Sequence, residues 1–305
     1  MFTRFRRAFY QFTALVVLLG FSLTGTASAI NKVLTVSPAT TKPVVSPGAT
    51  KTGNFQVLNQ GDQDYTVHIY STPYSVQGEA YTPDFYPVPG KTDASSWLSF
   101  DRAEASVKPG QSLNVAYSLH VPTGTQPGGY YAVAFVETHT TPNGQSVVVN
   151  ERVGEIFYIQ VAGPVKIDGK LLGWSSTFLQ RQPVSASLRL ENDGGVHYAS
   201  DIRLTVRDVF GHSKYVFATQ KELLPQTIRR VPMTWDHSPI LGLFKITGTV
   251  TTPGKTITLP AKYVLVMSPA VRYVLLGLVG VVVAYTLARR LTRRRHLLKK
   301  SLGKS

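Results

Sequence analysis

Two stretches of the sequence decide the fold: FQVLNQGDQDYTVHIY at residues 55–70 and ASLRLENDGGVHYASDIRLTVRD at residues 186–208. Each stretch opens with a run that ends in an asparagine, passes through a turn that contains glycine, and starts a second run. Apolar residues recur at every second position of the runs, as at Tyr65, Val67 and Ile69, which indicates strands with one buried face. The repetition predicts that the chain contains the same β-domain plan twice.

The same alternation continues outward from both stretches, and turn pairs such as Pro109-Gly110, Gly128-Gly129 and Pro253-Gly254 separate the runs. No long helical period occurs before residue 270. We therefore predict an all-β fold of two tandem immunoglobulin-like β-sandwiches, followed by one C-terminal transmembrane helix. A boundary near Gly163-Pro164 divides the β region into residues 30–163 and 164–268.

The C-terminal segment predicts a membrane anchor. Residues 273–288 read YVLLGLVGVVVAYTLA, contain no charge, and extend outward to about residue 269. The segment that follows, residues 289–305, contains eight lysines and arginines. The positive-inside rule places this basic tail in the cytoplasm. A buried core helix followed by a nucleic-acid-binding tail is the alternative.

The N-terminal segment predicts export. Arg4, Arg6 and Arg7 precede an apolar core at residues 14–21, and Ala27-Ser28-Ala29 provides the small residues that a signal peptidase accepts. We predict a signal peptide at residues 1–29, with an uncleaved anchor as the alternative. The main region is then extracellular and the protein crosses the cell membrane once.

The net charge of +15 comes mainly from the two ends of the chain, the signal peptide and the basic tail. Of the 32 lysines and arginines, three lie in the signal peptide, one is Arg272 and eight lie in the tail, which leaves 20 against the 17 acidic residues. The outer region is therefore close to neutral and has no charge pattern for binding nucleic acid. The chain has no cysteine, so neither domain has a disulfide, and this composition favours a prokaryotic surface protein.

The residues do not predict a catalytic, cofactor or metal site. The seven histidines are scattered and none stands in a His-Glu-x-x-His spacing. Asp62 and Asp64 fit a turn better than a calcium loop, which needs further oxygen ligands. We therefore predict a protein that is not an enzyme and that binds neither a cofactor nor a metal.

Candidate ligand-binding residues lie in the segment between Tyr70 and Ser96, which is long for a connection between strands. It contains several aromatic residues among Pro73, Pro83, Pro87 and Pro89. The candidates here are Tyr74, Tyr81, Phe85 and Tyr86, whose rings could stack on sugar faces or contact a protein. The alternative is a cover in which these rings simply pack over the end of the sandwich.

Tyr130 and Tyr131 are the other two candidates. They follow Gly128-Gly129, where a glycine pair allows the backbone to approach a neighbour closely. Since successive strand residues face opposite ways, only one of the two tyrosines can be buried. The other is an exposed aromatic residue.

Several of these motifs resemble a known family. The residues that carry the likeness are Ser96-Trp97-Leu98-Ser99-Phe100, Val107-Lys108-Pro109-Gly110-Gln111-Ser112, Val121-Pro122, Pro127-Gly128-Gly129-Tyr130-Tyr131, Leu190-Glu191-Asn192-Asp193-Gly194, Leu224-Pro225, Trp235, Gly242 and Phe244. Together with the order of parts, they are similar to bacterial immunoglobulin-like surface proteins and to the WxL-interacting proteins of Gram-positive cell walls. The resemblance implies that the first domain binds peptidoglycan and the second binds a surface protein.

We accordingly expect a non-enzymatic, membrane-anchored cell-surface binding or adhesion protein, whose partner is a cell-wall polymer or another surface protein. The alternative is an envelope assembly factor or chaperone that acts by β-strand addition.

Overall fold

A computed structural model describes residues 34–86, 92–139 and 151–302 of the chain. The predicted signal peptide at residues 1–29 and two of the prolines of the aromatic segment, Pro87 and Pro89, lie outside the described residues.

The first sandwich packs a four-stranded sheet on a five-stranded sheet with one extra short strand. The four-stranded sheet has the order β1-β4-β10-β8, the other has the order β2-β12-β11-β5-β9, and β3 also pairs with β12. The strands are β1 (Leu34–Ser37), β2 (Thr40–Thr41), β3 (Val44–Val45), β4 (Thr50–Asn59), β5 (Tyr65–Pro73), β8 (Leu98–Phe100), β9 (Glu104–Val107), β10 (Ser112–His120), β11 (Gly128–His139) and β12 (Arg152–Val161). Strands β6 (Ser75–Gln77) and β7 (Thr82–Asp84) form a separate hairpin, and Ser95–Trp97 form one 3₁₀ turn.

The second sandwich repeats this plan. Its sheets have the orders β13-β15-β18 and β14-β20-β19-β16-β17. The strands are β13 (Gly169–Ser175), β14 (Leu179–Gln180), β15 (Val184–Asn192), β16 (Tyr198–Asp208), β17 (Ser213–Leu223), β18 (Thr227–Trp235), β19 (Leu241–Thr252) and β20 (Lys255–Met267). Strand for strand, β1, β4 and β10 correspond to β13, β15 and β18, and even the parallel pairing of β2 with β12 recurs as that of β14 with β20.

The alternating residues of the sequence form the two cores. Val67 and Ile69 are buried in the first sandwich, and Ile202, Leu204 and Val206 are buried in the second. Because an inward residue of a strand meets the opposite sheet at every second position, the period-two pattern becomes one continuous core for each sandwich. The predicted fold class, all-β with two tandem immunoglobulin-like sandwiches and one apolar C-terminal helix, is confirmed. The predicted boundary at Gly163-Pro164 lies in the connection between β12 and β13.

The repeated asparagine holds the same position in both sandwiches. The Asn59 side-chain amide donates to the carbonyl oxygens of Gln63 and Val107, both at 2.8 Å, and its Oδ1 accepts the Gly61 N–H at 2.8 Å. Asn192 makes the equivalent three bonds, to Val196, Leu223 and Gly194. Both side chains are fully buried. Each amide therefore donates two hydrogen bonds to backbone carbonyl oxygens and accepts one from a backbone N–H. A serine has only one donor, and an ionised aspartate has none.

The C-terminal helix α1 (Pro269–Leu302) begins two residues after the end of β20. Its segment Pro269–Arg290 has a mean hydropathy of 2.0 and no buried residues, so it is long and apolar enough to cross a membrane. The helix continues through the basic segment that begins at residue 289, and it ends at Leu302. No proline or glycine interrupts residues 289–302, so the helix has no residue at which to end there.

We expect Asn192→Ala to lower the free energy of unfolding by about 1–3 kcal/mol, because it removes three hydrogen bonds and leaves buried backbone groups without a partner. Urea unfolding of the full-length chain in detergent micelles measures the change. Asn114→Ala, at an exposed position of β10, is the matched control and should change stability little. Equal effects of the two substitutions would contradict the assigned role of Asn192.

Candidate functional site

The hairpin β6–β7 leaves the first sandwich and docks on the second through its turn. Gly78 and Tyr81, at the two ends of the turn, both have a φ of 61°. Glycine adopts this left-handed conformation freely, but for tyrosine it is unfavourable and must be stabilised by its surroundings. The Tyr81 N–H donates to the Gly78 carbonyl oxygen at 3.3 Å. The turn thereby directs the Tyr81 side chain away from its own sandwich.

Tyr81 is 7% exposed and is held by groups of the second sandwich. Its hydroxyl accepts the Leu224 N–H at 2.7 Å. The Thr227 hydroxyl already donates to the Leu224 carbonyl oxygen at 2.7 Å, so the Tyr81 hydroxyl donates its own proton to Thr227 Oγ1. The Arg229 guanidinium lies 4.2 Å from the centre of the Tyr81 ring, within cation–π distance.

Glu79, at the centre of the same turn, pairs with two arginines of the second sandwich. Arg189 Nε lies 2.9 Å from Glu79 Oε2, and its Nη2 also contacts the carboxylate. Arg230 Nη2 lies 3.0 Å from Glu79 Oε2, and the Arg230 backbone N–H donates to the Glu79 carbonyl oxygen at 2.8 Å. Hydrogen bonds from Arg189 and then Arg230 lower the pKa of Glu79 to about 2. The ionised Glu79 therefore stabilises the docking of the turn at neutral pH. This stabilisation is lost as the pH falls from about 4.5 towards 2 and the carboxylate is protonated.

Aromatic rings fill the space behind the turn. Tyr74, Tyr81, Tyr131, Tyr158 and Leu224 form one buried cluster that spans both sandwiches. His197 of the second sandwich packs against it, with its ring 5.3 Å from that of Tyr158 and its backbone N–H donating to the Tyr131 hydroxyl at 3.1 Å. Burial lowers the pKa of His197 to about 4, so this ring is neutral at pH 7.

A direct backbone contact completes the interface at the glycine pair. The Gly129 N–H donates to the Gly195 carbonyl oxygen at 2.9 Å. A Cβ at position 129 would lie 3.3 Å from Val196 Cα and 2.1 Å from the Tyr131 hydroxyl oxygen. The predicted close approach of the backbone is therefore present, and the neighbour is the second sandwich.

Between these contacts the two sandwiches enclose a cleft with a volume of about 900 Å³, within the usual range for ligand sites. It lies at the junction of the hairpin, the start of β11, and the turns before β16 and β18. Its lining residues are Pro73, Tyr74, Ser75, Val76, Gln77, Asp84, Tyr86, Thr92, Asp93, Tyr130, Tyr131, Gly194, Gly195, Leu224, Pro225, Gln226 and Thr227. We refer to it as the interdomain cleft.

Four of the six predicted binding residues, Tyr74, Tyr86, Tyr130 and Tyr131, line this cleft, but they differ in access. Tyr86 is 80% exposed, and Tyr130 is half-buried, with its ring 4.7 Å from that of Trp97. Tyr131 is 1% exposed and Tyr74 is also buried. As predicted for a strand, only one of the pair Tyr130 and Tyr131 is fully buried.

The remaining two predicted residues do not line the cleft. Tyr81 is buried in the interface, and Phe85 packs on Phe135, with 4.9 Å between the ring centres. Tyr74, Tyr81 and Tyr131 are thus inaccessible to a ligand while the sandwiches are docked. The sequence predicted either a binding loop or a cover whose rings pack over the sandwich. The structure has features of both, since most of the rings of this segment pack and Tyr86 faces the cleft.

Polar groups lie beside the accessible rings. Asp84 Oδ2 accepts the Gln77 amide at 2.8 Å and its Oδ1 accepts the Tyr86 N–H at 3.0 Å, which fixes the backbone below the exposed ring. Asp93 Oδ1 similarly accepts the Ser95 N–H at 2.7 Å. The cleft therefore offers one exposed and one half-buried ring, with carboxylates and amides at its edge.

The sequence did not indicate the second-sandwich side of the site. Arg189, Arg230 and the turns at residues 194–195 and 224–227 are far along the chain from Glu79 and the rest of the hairpin. The adjacent pair Arg229-Arg230 on β18 is the one signal that could have indicated a charged contact, but it equally fits a solvated strand face. Among the described residues, no group of three or more histidines and acidic residues could hold a metal ion.

No protein-family model matches the sequence, and the comparison with curated proteins finds no match. Solved structures with a similar arrangement include the YadV chaperone (TM-score 0.40, 12% identity, covering 76% of this chain and 100% of that one). The class 5 fimbriae chaperone CfaA has a TM-score of 0.38 and 10% identity, and covers 77% and 99%. The CsuC–CsuE chaperone–tip adhesion subunit complex of Acinetobacter baumannii has a TM-score of 0.36 and 15% identity, and covers 77% and 98%.

We expect Tyr81→Phe to lower the free energy of unfolding by about 1–3 kcal/mol, because it leaves the buried Leu224 N–H without its acceptor while keeping the ring in place. Urea unfolding of the full-length chain in micelles measures this loss. Tyr86→Phe removes a hydroxyl from an exposed ring and is the matched control. If the two variants have the same free energy of unfolding, the Tyr81 hydroxyl does not stabilise the contact between the sandwiches.

Proposed function

We infer that this chain is a non-enzymatic, membrane-anchored cell-surface binding protein whose ligand occupies the interdomain cleft. The observation that carries the proposal is the exposed ring of Tyr86 beside the half-buried ring of Tyr130, in a cleft of about 900 Å³ with Gln77, Asp84 and Asp93 at its edge. These groups bind by contact and hydrogen bonding, and they require no chemical step.

The composition of the cleft favours a glycan. The flat apolar face of a tyrosine ring can cover the apolar face of a sugar, while carboxylates and amides pair with its hydroxyl groups. Tyrosine also loses little conformational entropy on binding, since it has only two side-chain torsions. A cell-wall polymer is therefore the ligand that we favour, in agreement with the peptidoglycan binding implied by the family resemblance, and a surface protein is the alternative.

The position of the cleft suits a ligand outside the membrane. In the second sandwich, Leu241 pairs with Met267 at the end next to the helix, and Thr252 pairs with Lys255 at the other end, where the cleft lies. Twelve strand residues separate these ends, so the cleft is held about 35–40 Å from the start of the helix. We propose that the helix spans the cell membrane with its basic end in the cytoplasm and both sandwiches outside, after removal of the signal peptide.

We expect Tyr86→Ala to weaken binding to purified cell-wall polymer about fivefold, which corresponds to ~1 kcal/mol for the loss of one aromatic contact. The measurement is co-sedimentation of the full-length chain, in micelles, with insoluble wall material. Val44→Ala removes another exposed apolar side chain (57% exposed, against 80% for Tyr86) outside the cleft and should bind like the unchanged chain. Unchanged binding by Tyr86→Ala, with a normal thermal transition, would remove the cleft as the site.

One observation favours a second candidate function, an envelope assembly factor that acts by β-strand addition. Strand β17 (Ser213–Leu223) is 11 residues long and pairs with β16 on one side, and no strand of the described residues pairs with its other edge. The equivalent edge strand of the first sandwich, β9, is only four residues long. A long open edge offers the backbone groups of one strand to an extended segment of a partner.

An assembly factor of this kind should carry a stoichiometric client when purified from its native envelope, and the client should slow the amide hydrogen exchange of residues 216–220. Hydrogen-exchange mass spectrometry with and without the client measures the protection. Residues 170–172 of the edge strand β13 provide the internal control. If residues 216–220 exchange like an open edge in the envelope-purified protein, strand addition at β17 does not occur.

A further inference from the structure

Exposed apolar side chains gather at the end of the second sandwich that joins the helix. The segments at this end are residues 176–183, which include the short strand β14, and the connections 209–212 and 236–240. Each presents a large apolar residue to solvent: Phe178 is 57% exposed, Phe210 is 82% exposed and Ile240 is 59% exposed. Val209 and Leu241 beside them are also exposed. We call these five residues the apolar rim.

Strand registers show that the rim lies near the level of the helix start. The Ser268 N–H donates to the Ile240 carbonyl oxygen at 2.8 Å, and Leu241 pairs with Met267. Asp208 pairs with Phe244, which pairs with Val264, so the turn that follows Asp208 extends towards the same end. The Leu265 N–H donates to the Phe178 carbonyl oxygen, which places Phe178 about 10 Å from Ser268 along the strand.

The turn that carries Phe210 is well ordered by its own hydrogen bonds. Asp208 Oδ1 accepts the N–H groups of Phe210 and His212, at 2.9 and 3.0 Å, and Gly211 has a φ of 87°. The turn therefore holds Val209 and Phe210 outward at its tip. A single exposed apolar residue is common on protein surfaces, but several large apolar side chains at one end of a domain mark a site that contacts an apolar partner.

No linker separates this end of the sandwich from the helix. Strand β20 ends at Met267, and α1 begins at Pro269. The Arg272 Nε donates to the Met267 carbonyl oxygen at 3.3 Å, so the first turn of the helix is also tied to the strand. The interfacial layer of a bilayer is about 5–8 Å thick on each side. If the helix spans the membrane, the rim lies at the level of this layer or within about 10 Å above it.

The duplicated fold supplies a second argument. The connection that follows β16 corresponds to the long segment that follows β5, and in the first sandwich that segment buries its aromatic rings against the next body along the chain, the second sandwich. In the second sandwich the next element along the chain is α1, which we propose to span the membrane. The corresponding turn presents the side chains of Val209 and Phe210 to solvent at its tip.

We propose that the apolar rim inserts into the outer interfacial layer of the lipid bilayer and holds the second sandwich directly on the membrane. This inference rests on the proposed membrane anchoring of α1. Arg181 and Arg272 line one surface depression beside the rim, where a guanidinium can meet lipid phosphate groups. The helix then provides attachment, and the rim fixes the orientation of the sandwich, because contacts at several separated loops prevent it from tilting freely.

The absence of cysteine permits a direct test. Single cysteines are introduced as Phe178→Cys, Phe210→Cys and Ile240→Cys, each labelled with an environment-sensitive fluorophore, in the full-length chain reconstituted in phosphatidylcholine–phosphatidylglycerol vesicles. We expect the emission of each label to shift to the blue in the vesicles. We also expect its intensity to fall when the vesicles include phosphatidylcholine with a spin label near its headgroup. Thr256→Cys, exposed at the far end of the same sandwich, should show neither change.

Leu278→Cys, in the middle of the apolar segment, separates failure of the rim from failure of the anchor. Quenching at position 278 by lipid labelled deep in its acyl chain, without quenching at position 210, would overturn the proposal and leave the anchor intact. Loss of quenching at both positions would overturn it together with the anchoring. A label at position 210 that is shielded only in native envelopes, through a crosslink to another polypeptide, would assign the rim to a protein partner and overturn it as well. Phe210 does not line the cleft. Co-sedimentation of the Phe210→Ser variant with cell-wall material therefore tests the cleft independently of the rim.

Discussion

The contact on which the rest of the molecule depends is the docking of one four-residue turn, Gly78 to Tyr81, on the second sandwich. Glu79 supplies two arginine pairs and a backbone hydrogen bond, and Tyr81 supplies a buried ring whose hydroxyl is satisfied by Leu224 and Thr227. Two β-sandwiches joined by a short connection can move relative to one another unless such contacts hold them, and the turn acts together with the Gly129–Gly195 and Tyr131–His197 contacts. Because residues of both sandwiches line the cleft, its shape depends on their docking.

The docking turn is an insertion into a duplicated fold. The two sandwiches share strand order, parallel edge pairing and the buried asparagine, and they differ mainly in the connection after the second strand of the repeated motif. In the second sandwich this connection is the short turn at residues 209–212, and in the first it is the segment that contains β6, β7 and the 3₁₀ turn. The common plan thus supplies stability, and the segment that departs from it supplies the interface and the accessible ring of Tyr86.

The sequence predicted those features that depend on local pattern. The alternation of Tyr65, Val67 and Ile69 specifies which face is buried, and the asparagine turns mark the repeat, because both act between neighbouring residues. The partners of Glu79 were not predictable, since Arg189 lies 110 residues away at an outward position of β15, where a charged residue ordinarily faces water. Glu155 is a related case. It occupies an inward position of β12, its hydrogen bond comes from Thr41, and burial raises its pKa to about 7.

The two ends of the second sandwich differ in the side chains that they present: charged pairs and aromatic rings at one end, and exposed apolar residues at the other. At the far end, the contact surface is partly open to water, so arginine and glutamate pairs can keep their hydration and still add direction to the docking. At the end next to the helix, where we propose that the sandwich meets the bilayer, phenylalanine and isoleucine gain from leaving water. The same residues facing solvent would favour aggregation. An apolar rim at one end and a polar, aromatic cleft at the other thus match the two surroundings that we propose for this sandwich, a bilayer surface and a second domain.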